Sequence, residues 1–118
     1  MLIYWGEVML ETKPSRDEII MLFKLLSSDA RLSIMKLLQR QECCVCELTA
    51  ALEMTQPAIS QHLKKLREGG LIIEERRGQW IYYQMNQSSP LHQVLTVLLN
   101  EVPESERQIE KMETNAQC

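Results

Sequence analysis

Three of the chain's four cysteines lie in one short segment, residues 42–48, which reads ECCVCEL. Thiolates are soft ligands that select ions such as As(III), Cd(II), Pb(II), Zn(II) or Cu(I) over hard ions. A single buried cysteine often acts as a small hydrophobic residue, but three within four positions exceed what packing requires. The segment therefore predicts a thiolate site for a soft ion, with Cys43, Cys44 and Cys46 as its candidate ligands.

The same thiols permit other chemistry. Cys43 and Cys46 have the C-x-x-C spacing of thiol oxidoreductases, but that class predicts a βαβ context that this sequence lacks. A structural zinc site needs four ligands at finger-like spacing, and the two histidines are too isolated to complete one. Neighbouring thiols also oxidise reversibly, so a redox or persulfide response stays open. We therefore expect a binding protein rather than an enzyme.

A second set of chemically active side chains follows the cysteines. Residues 56–70 read QPAISQHLKKLREGG, in which apolar residues recur at helical spacing and leave polar and basic side chains on the other faces. Such a face is common in globular domains, but here a hairpin with two arginines near its turn follows it. These residue types hydrogen-bond to base edges and phosphates. The predicted DNA contacts are Gln56, Ser60, Gln61, His62, Lys64, Lys65, Arg76 and Arg77.

Capping signals predict the helices that position these groups. Ser15 with Glu18 matches a capping box, and Ser28 precedes the next apolar period. Thr55 begins the QPAISQHL helix, with Pro57 in its first turn, and a glycine pair ends it. Residues 71–86, LIIEERRGQWIYYQMN, alternate as strand, turn and strand. Helix, break, helix and hairpin predict a mainly α fold with a β-hairpin wing, the winged helix-turn-helix.

The 118 residues are enough for one domain. We divide them into an N-terminal arm (1–14), a DNA-binding and dimerisation domain (15–102) and a polar C-terminal tail without fixed structure (103–118). A domain this small buries only about two thirds of its unfolded surface. The last predicted helix carries an apolar stripe, so we expect a homodimer through the N- and C-terminal helices.

Charge and apolar pattern bear on partners and location. The net charge is −3, but residues 56–77 carry five basic and three acidic side chains, a local balance of +2. The apolar start has no basic residue before it, so we do not expect export. No run approaches the roughly 18 apolar residues of a membrane-spanning helix. We expect a cytoplasmic protein with reduced thiols and no membrane partner.

Three segments resemble the ArsR/SmtB family of metal-responsive winged-helix repressors: SSDARLSIMKLLQ, ECCVCELTAALEMTQPAISQHLKKLREGGLI and RRGQWIYYQMN, within about residues 16–101. The resemblance implies a homodimer that binds palindromic operator DNA without a cofactor and releases it when an inducer binds. The run from Cys44 to Leu48, CVCEL, is similar to the CVCDL box with which arsenic-responsive members bind As(III). This similarity implies that As(III), and also Sb(III), are the inducers.

The third ligand stays open. The best-matched pattern has a third cysteine after the leucine, where this chain has Thr49. Cys43, Cys118 or a solvent thiol could replace it. Two positions apart on an ideal helix, Cys44 and Cys46 point about 200° apart, so sharing an ion would require an unwound helix start.

Other sensor types of the family fit less well. Cadmium and lead sensors share the CVC pair but add cysteines from the N-terminal arm, and residues 1–18 contain none. Zinc and nickel sensors use a paired set on the last helix, where this chain has His92 alone. The sequence thus predicts a repressor released by As(III), with a Cd(II), Pb(II) or thiol-redox signal as the alternatives.

Overall fold

The computed structural model describes residues 13–114, so most of the N-terminal arm and Cys118 lie outside the described part. Its elements, in chain order, are α1 (Arg16–Leu26), α2 (Asp29–Arg40), β1 (Cys43–Cys44), α3 (Val45–Leu52), α4 (Gln56–Glu68), β2 (Ile72–Arg77), β3 (Trp80–Met85), α5 (His92–Asn100) and α6 (Glu106–Thr114). Helices α3 and α4 followed by the β2–β3 hairpin form the predicted winged helix-turn-helix. No helix in this range is long and apolar enough to cross a membrane.

The predicted capping residues begin three of the helices. The Ser15 hydroxyl accepts a hydrogen bond from the Glu18 backbone N–H at 3.1 Å, and the Glu18 carboxylate accepts one from the Ser15 N–H at 2.7 Å. The Ser28 hydroxyl accepts from the Arg31 backbone N–H at the start of α2, and the Thr55 hydroxyl accepts from the Ala58 backbone N–H at the start of α4. Each cap satisfies a backbone N–H group that the first turn leaves without a partner. The predicted starts of these helices are confirmed.

The thiol segment and the wing belong to one antiparallel sheet of order β1-β3-β2. Strand β1 pairs with β3 at Cys43↔Tyr83 and Cys44↔Tyr82. Strands β2 and β3 form the wing, and the turn between them starts at Gly78, whose φ of 65° is the positive angle a tight hairpin turn needs. The sequence pattern predicted the hairpin but not β1. Cys43 and Cys44 therefore pair with the wing as a strand, and only Cys46 lies within the helix that follows.

One apolar core joins all six helices to the sheet, with Met112 of α6 among its buried residues. Helices α2, α3 and α4 form its centre, and α1, α5 and the start of β2 cover it. The largest fully buried side chains of this core are Leu22, Ile34, Met35, Leu48, Ile59, Leu63, Leu66, Leu71, Ile72, Leu91, Leu95 and Leu99. This packing fixes the face that α4 turns outward.

Residues 106–114 form a helix where the sequence predicted a tail without fixed structure, and that prediction is wrong for this segment. Helix α6 packs against α3, with Met112 fully buried and Ile109 partly buried. Glu53 at the end of α3 pairs with Arg107 at 2.7 Å and with Lys111 at 3.7 Å. Only two apolar residues, three positions apart, mark this helix in the sequence, which is too short a pattern to predict it.

Replacing Met112 with alanine should lower the free energy of unfolding by roughly 2–4 kcal/mol, because the change leaves a cavity in a fully buried position. Urea unfolding followed by circular dichroism measures this difference. The matched control is Glu110→Ala on the exposed face of the same helix, which should change stability by less than about 0.5 kcal/mol. Equal, small effects of both changes would mean that α6 does not dock in solution.

Candidate metal centre and nucleic-acid interface

The side chain of Cys43 points into the core, on the opposite face of β1 from the side chain of Cys44. Successive side chains of a strand point to opposite faces, and β1 turns Cys43 inward, where it is fully buried. Its Sγ lies 3.6 Å from the Sδ of Met112 and 3.4 Å from the carbonyl oxygen of Gln41. Burial, reinforced by nearby negative charge including that of Glu47, raises the pKa of this thiol to about 12. The structure does not bring Cys43 to the candidate ion site.

Cys44 lies just before α3 in extended conformation, with φ −92° and ψ 170°. Its backbone N–H donates to the Glu47 carboxylate at 2.8 Å, and the Glu47 backbone N–H points back at its sulfur. Burial raises the pKa of the Cys44 thiol, against the opposing effect of the N–H groups of Glu47 and Cys46 at the helix start. Cys44 thus precedes the helix, so the angle of about 200° between two positions of an ideal helix does not describe the Cys44–Cys46 pair.

Cys44 and Cys46 line one cavity of about 340 Å³. The thiol segment forms one wall, the wing forms a second, and the first residue of α4 closes a third side. The lining residues are Cys44, Val45, Cys46, Thr49, Gln56, Gln79, Trp80 and Ile81. The cavity thus lies between the thiols and both predicted DNA-reading elements.

The described residues supply two sulfurs to this cavity and no complete set of ligands. Cys46 is disulfide-bonded in the structure, so ion binding through its sulfur needs the reduced form. Thr49, at the position of the missing third cysteine, lines the same cavity and donates its hydroxyl to the Cys46 carbonyl at 2.8 Å. Within residues 13–114 no three His, Cys, Asp or Glu side chains cluster closely enough to hold an ion. The other predicted ligand, Cys118, lies outside this range.

Helix α4 turns the predicted DNA-binding side chains away from the core. Its buried residues are Ile59, Leu63 and Leu66. Gln56, Ser60, Gln61, Lys64 and Lys65 are exposed, and His62 is half-buried. Neither Lys64 nor Lys65 forms an ion pair with another described residue. The exposed face therefore offers free cations beside amide and hydroxyl groups, the combination that contacts phosphates and base edges.

The two arginines of the wing differ in their surroundings. The guanidinium of Arg77 makes a bidentate pair with Glu42, at 2.6 and 2.8 Å, and a third contact with Glu75 at 2.7 Å. It also stacks on Tyr82, 4.6 Å from the ring centroid. Its hydrogen bonds to Glu42 lower the pKa of that carboxyl. Arg76 is exposed and forms no such pair among the described residues, so it is the better phosphate ligand of the two.

Sequence reasoning missed the wall that the wing adds to the thiol cavity. Gln79, Trp80 and Ile81 reach the cysteines only because β1 pairs with β3. A two-residue strand leaves no periodic pattern, so the sequence has no signal for this contact. Glu42 was missed for the same reason, since its partner Arg77 lies 35 positions along the chain.

Comparison with known proteins identifies the family. Residues 28–74 match the family model described as "Bacterial regulatory protein, arsR family". Two arsenic resistance transcriptional regulators of Pseudomonas putida, ArsR1 and ArsR2, are 49% and 44% identical to the chain over 69 and 80 residues, which are 58% and 65% of its length. The chain spans 54% of the length of ArsR1 and 70% of that of ArsR2.

Solved structures show the same fold. The homodimeric winged helix-turn-helix DNA-binding domain of a possible ArsR-family regulator from Mycobacterium bovis is 29% identical, with a TM-score of 0.60, and the match covers 72% of this chain and 81% of that one. The AntR antimony-specific transcriptional repressor is 30% identical, with a TM-score of 0.59, over 83% and 82% of the two chains. With 70% of ArsR2 matched at 44% identity, this chain belongs to the arsR family of bacterial regulatory proteins.

Proposed function

We propose that this protein is a homodimeric transcriptional repressor that binds operator DNA without a cofactor and releases it when As(III), or Sb(III), binds at Cys44 and Cys46. The observation that carries the proposal is the cavity that these cysteines share with Gln56 of α4 and with Trp80 of the wing. An ion held there would lie between α4 and the wing, the two elements that would contact DNA.

DNA binding is supported by the exposed face of α4 and by the exposed Arg76. Helix α4 is the second helix of the helix-turn-helix, the one that enters the major groove in proteins of this type. Its lysines would contact phosphates, and Gln61 and Ser60 would contact base edges. The relatives named above are described as regulators and repressors of transcription, which agrees with this role and with a cytoplasmic location.

Dimer formation is supported by an apolar surface on the first helix and on α5. The side chains of Phe23 and Val97 are 59% and 60% exposed, and Ile20 on the same helix as Phe23 is 41% exposed. Ile20 and Phe23 lie one turn apart on α1, and exposed apolar side chains that cluster in this way mark interaction surfaces. A second copy of the chain covers them if α1 and α5 form the dimer interface.

The release step follows from ligand exchange at the thiols. At neutral pH arsenite is As(OH)₃, and each cysteine that binds forms one S–As bond while its proton leaves with a hydroxide as water. Cys118, or a small thiol from solution, would supply a third sulfur to the reduced protein. Drawing Cys44 toward Cys46 moves β1, which is hydrogen-bonded to the wing at Tyr82. Nearly complete release requires roughly 5.5 kcal/mol of preference for the DNA-free state, which thiolate coordination can supply.

A thiol-redox signal is the second candidate, and the disulfide-bonded state of Cys46 favours it. Oxidation that joins two cysteines as a disulfide removes two protons and two electrons, so an oxidant must accept them. In that case DNA release would follow the redox state of Cys46 and would not need a metalloid. Cd(II) or Pb(II) would use the same cavity through the same soft ligands.

Arsenite titration of the reduced protein on labelled operator DNA tests the inducer. The operator can be selected from random duplexes, and fluorescence anisotropy then reports binding. We expect complete release at near-stoichiometric arsenite or antimonite, and weaker effects of Cd(II) and Pb(II). If the protein keeps its DNA in excess arsenite but releases it on treatment with the thiol oxidant diamide, the inducing signal is thiol oxidation and not a metalloid.

A further inference from the structure

The side chain of Arg31 connects three helices. It leaves the first turn of α2, and its Nε donates to the carbonyl oxygen of Leu25 at 2.8 Å while Nη2 donates to that of Lys24 at 3.4 Å. Its Nη1 lies 3.3 Å from Nδ1 of His62 in α4. The last carbonyls of a helix lack intrahelical partners and carry partial negative charge. The end of α1 therefore anchors the guanidinium, which then holds one nitrogen of the imidazole.

This contact selects one tautomer of His62. A guanidinium has only donors, so Nδ1 must accept and cannot carry a proton. The neutral ring then has its proton on Nε2, which makes no hydrogen bond with the described residues. In a neutral imidazole the hydrogen-bond partner of one ring nitrogen thus decides whether the other nitrogen carries the proton. His62 thus becomes a neutral N–H donor on the face of α4 that carries Gln61 and Lys65.

The charged groups that act on the imidazole all favour its neutral form. Partial burial lowers the pKa of His62, and the positive charges of Arg31 on α2 and of Lys65 on α4 lower it further. Helix α1 contributes backbone carbonyls to the guanidinium and no charge to the ring. Above neutral pH, His62 is therefore an uncharged donor with a fixed direction.

We infer that Arg31 is a positioning residue for DNA binding, which orients His62 so that its Nε2–H donates to a phosphate oxygen of the DNA backbone. The inference rests on the proposed role of α4 as the DNA-reading helix. It adds to that role a residue that touches no DNA itself and that lies outside α4 and the wing. A purely structural alternative is that Arg31 only caps α1.

Two measurements separate these roles. Nitrogen-15 NMR of the imidazoles reports the tautomer and the pKa of His62, and His62→Ala assigns its signal against His92. We expect the Nε2–H tautomer in the wild type. In Arg31→Met, which keeps the aliphatic stem but loses the donors, we expect a mixture of tautomers and a higher pKa.

Operator affinity is then measured from pH 6 to 8.5 for the wild type, Arg31→Met, His62→Ala and the double variant. Each single change should weaken binding about tenfold per subunit at pH 7.5, the effect of one hydrogen bond to a charged group in each half of the dimer. The double variant should bind no more weakly than His62→Ala, because Arg31 acts through His62. In Arg31→Met the pH dependence of binding should also move to higher pH than in the wild type, because the positive charge of Arg31 no longer lowers the pKa of His62.

Several results would overturn the inference. An Nδ1–H tautomer in the wild type would exclude the contact, and independent losses in the double variant would make Arg31 a structural cap only. If Arg31→Met does not fold, the wild-type tautomer and the affinity of His62→Ala still decide. A wild type that binds no duplex would refute the proposed function itself, and the NMR result would then show separately whether Arg31 sets the tautomer.

Discussion

Serine in place of Cys44 or Cys46 should raise the arsenite concentration that releases operator DNA by at least about 100-fold, the cost of losing a soft ligand and nearly 3 kcal/mol of ion binding. Both sulfurs line the cavity between the thiol segment, α4 and the wing. The change replaces one sulfur with a smaller oxygen and keeps the rest of the side chain, so the fold and the affinity for DNA without arsenite should change little. Anisotropy titrations of each variant, reduced beforehand, measure the shift.

Cys43→Ala is the matched control for these variants. Cys43 is fully buried and faces Met112, away from the cavity. Its replacement should lower stability by about 1 kcal/mol through a small cavity and leave the arsenite response within about threefold. Loss of the response in Cys43→Ala, with a normal response in Cys46→Ser, would show that the ion is held on the other side of β1.

Thr49→Cys tests the same site by adding a third thiol ligand to it. Thr49 lines the cavity beside both cysteines, at the position where the arsenic box of the family has its third thiol. A cysteine there should lower the arsenite concentration needed for release and should make the response independent of Cys118. If the added thiol has no effect, the ion does not sit in this cavity.

The parts of the fold that the sequence predicts are those encoded by local signals. Ser15, Ser28 and Thr55 begin helices where their spacing to the next backbone N–H groups predicts them. The wing is predictable because alternation and Gly78 are local as well. Pairwise contacts between distant segments have no such signal. The pairing of Cys44 with Tyr82 and the packing of Met112 on Cys43 were therefore not predictable.

In the candidate site, too, the local features were predictable from the sequence and the contacts between distant segments were not. The types and spacing of the cysteines predict soft-ion chemistry, and the resemblance to a family box predicts which two lead. Their geometry depends on β1, which sends Cys43 into the core and leaves Cys44 extended at the cavity. The third ligand cannot be predicted from spacing, because Thr49 removes the local candidate. The same limit applied to Arg77, whose acidic partner Glu42 is distant in sequence.

Removing the lysines of α4 should weaken binding to all duplexes and flatten its dependence on salt. Lys64 and Lys65 are exposed and form no ion pair among the described residues. Each phosphate that a lysine no longer neutralises should reduce the slope of log K against log salt by about 0.9, and so by about 1.8 for one lysine in each half of a dimer. Lys64→Ala and Lys65→Ala, titrated with operator and with unrelated duplex at several salt concentrations, measure this effect.

Arg77→Ala is the informative comparison, because sequence alone predicts the same result for it. In the structure its charge is already matched by Glu42 and Glu75. Releasing Arg77 to a phosphate would leave those two carboxylates beside the DNA, so the variant should keep nearly the wild-type salt slope. Arg76→Ala, one residue away and without an ion pair in the described part of the chain, should flatten it. A slope reduced equally by both changes would mean that the Glu42–Arg77 pair opens when the wing meets DNA.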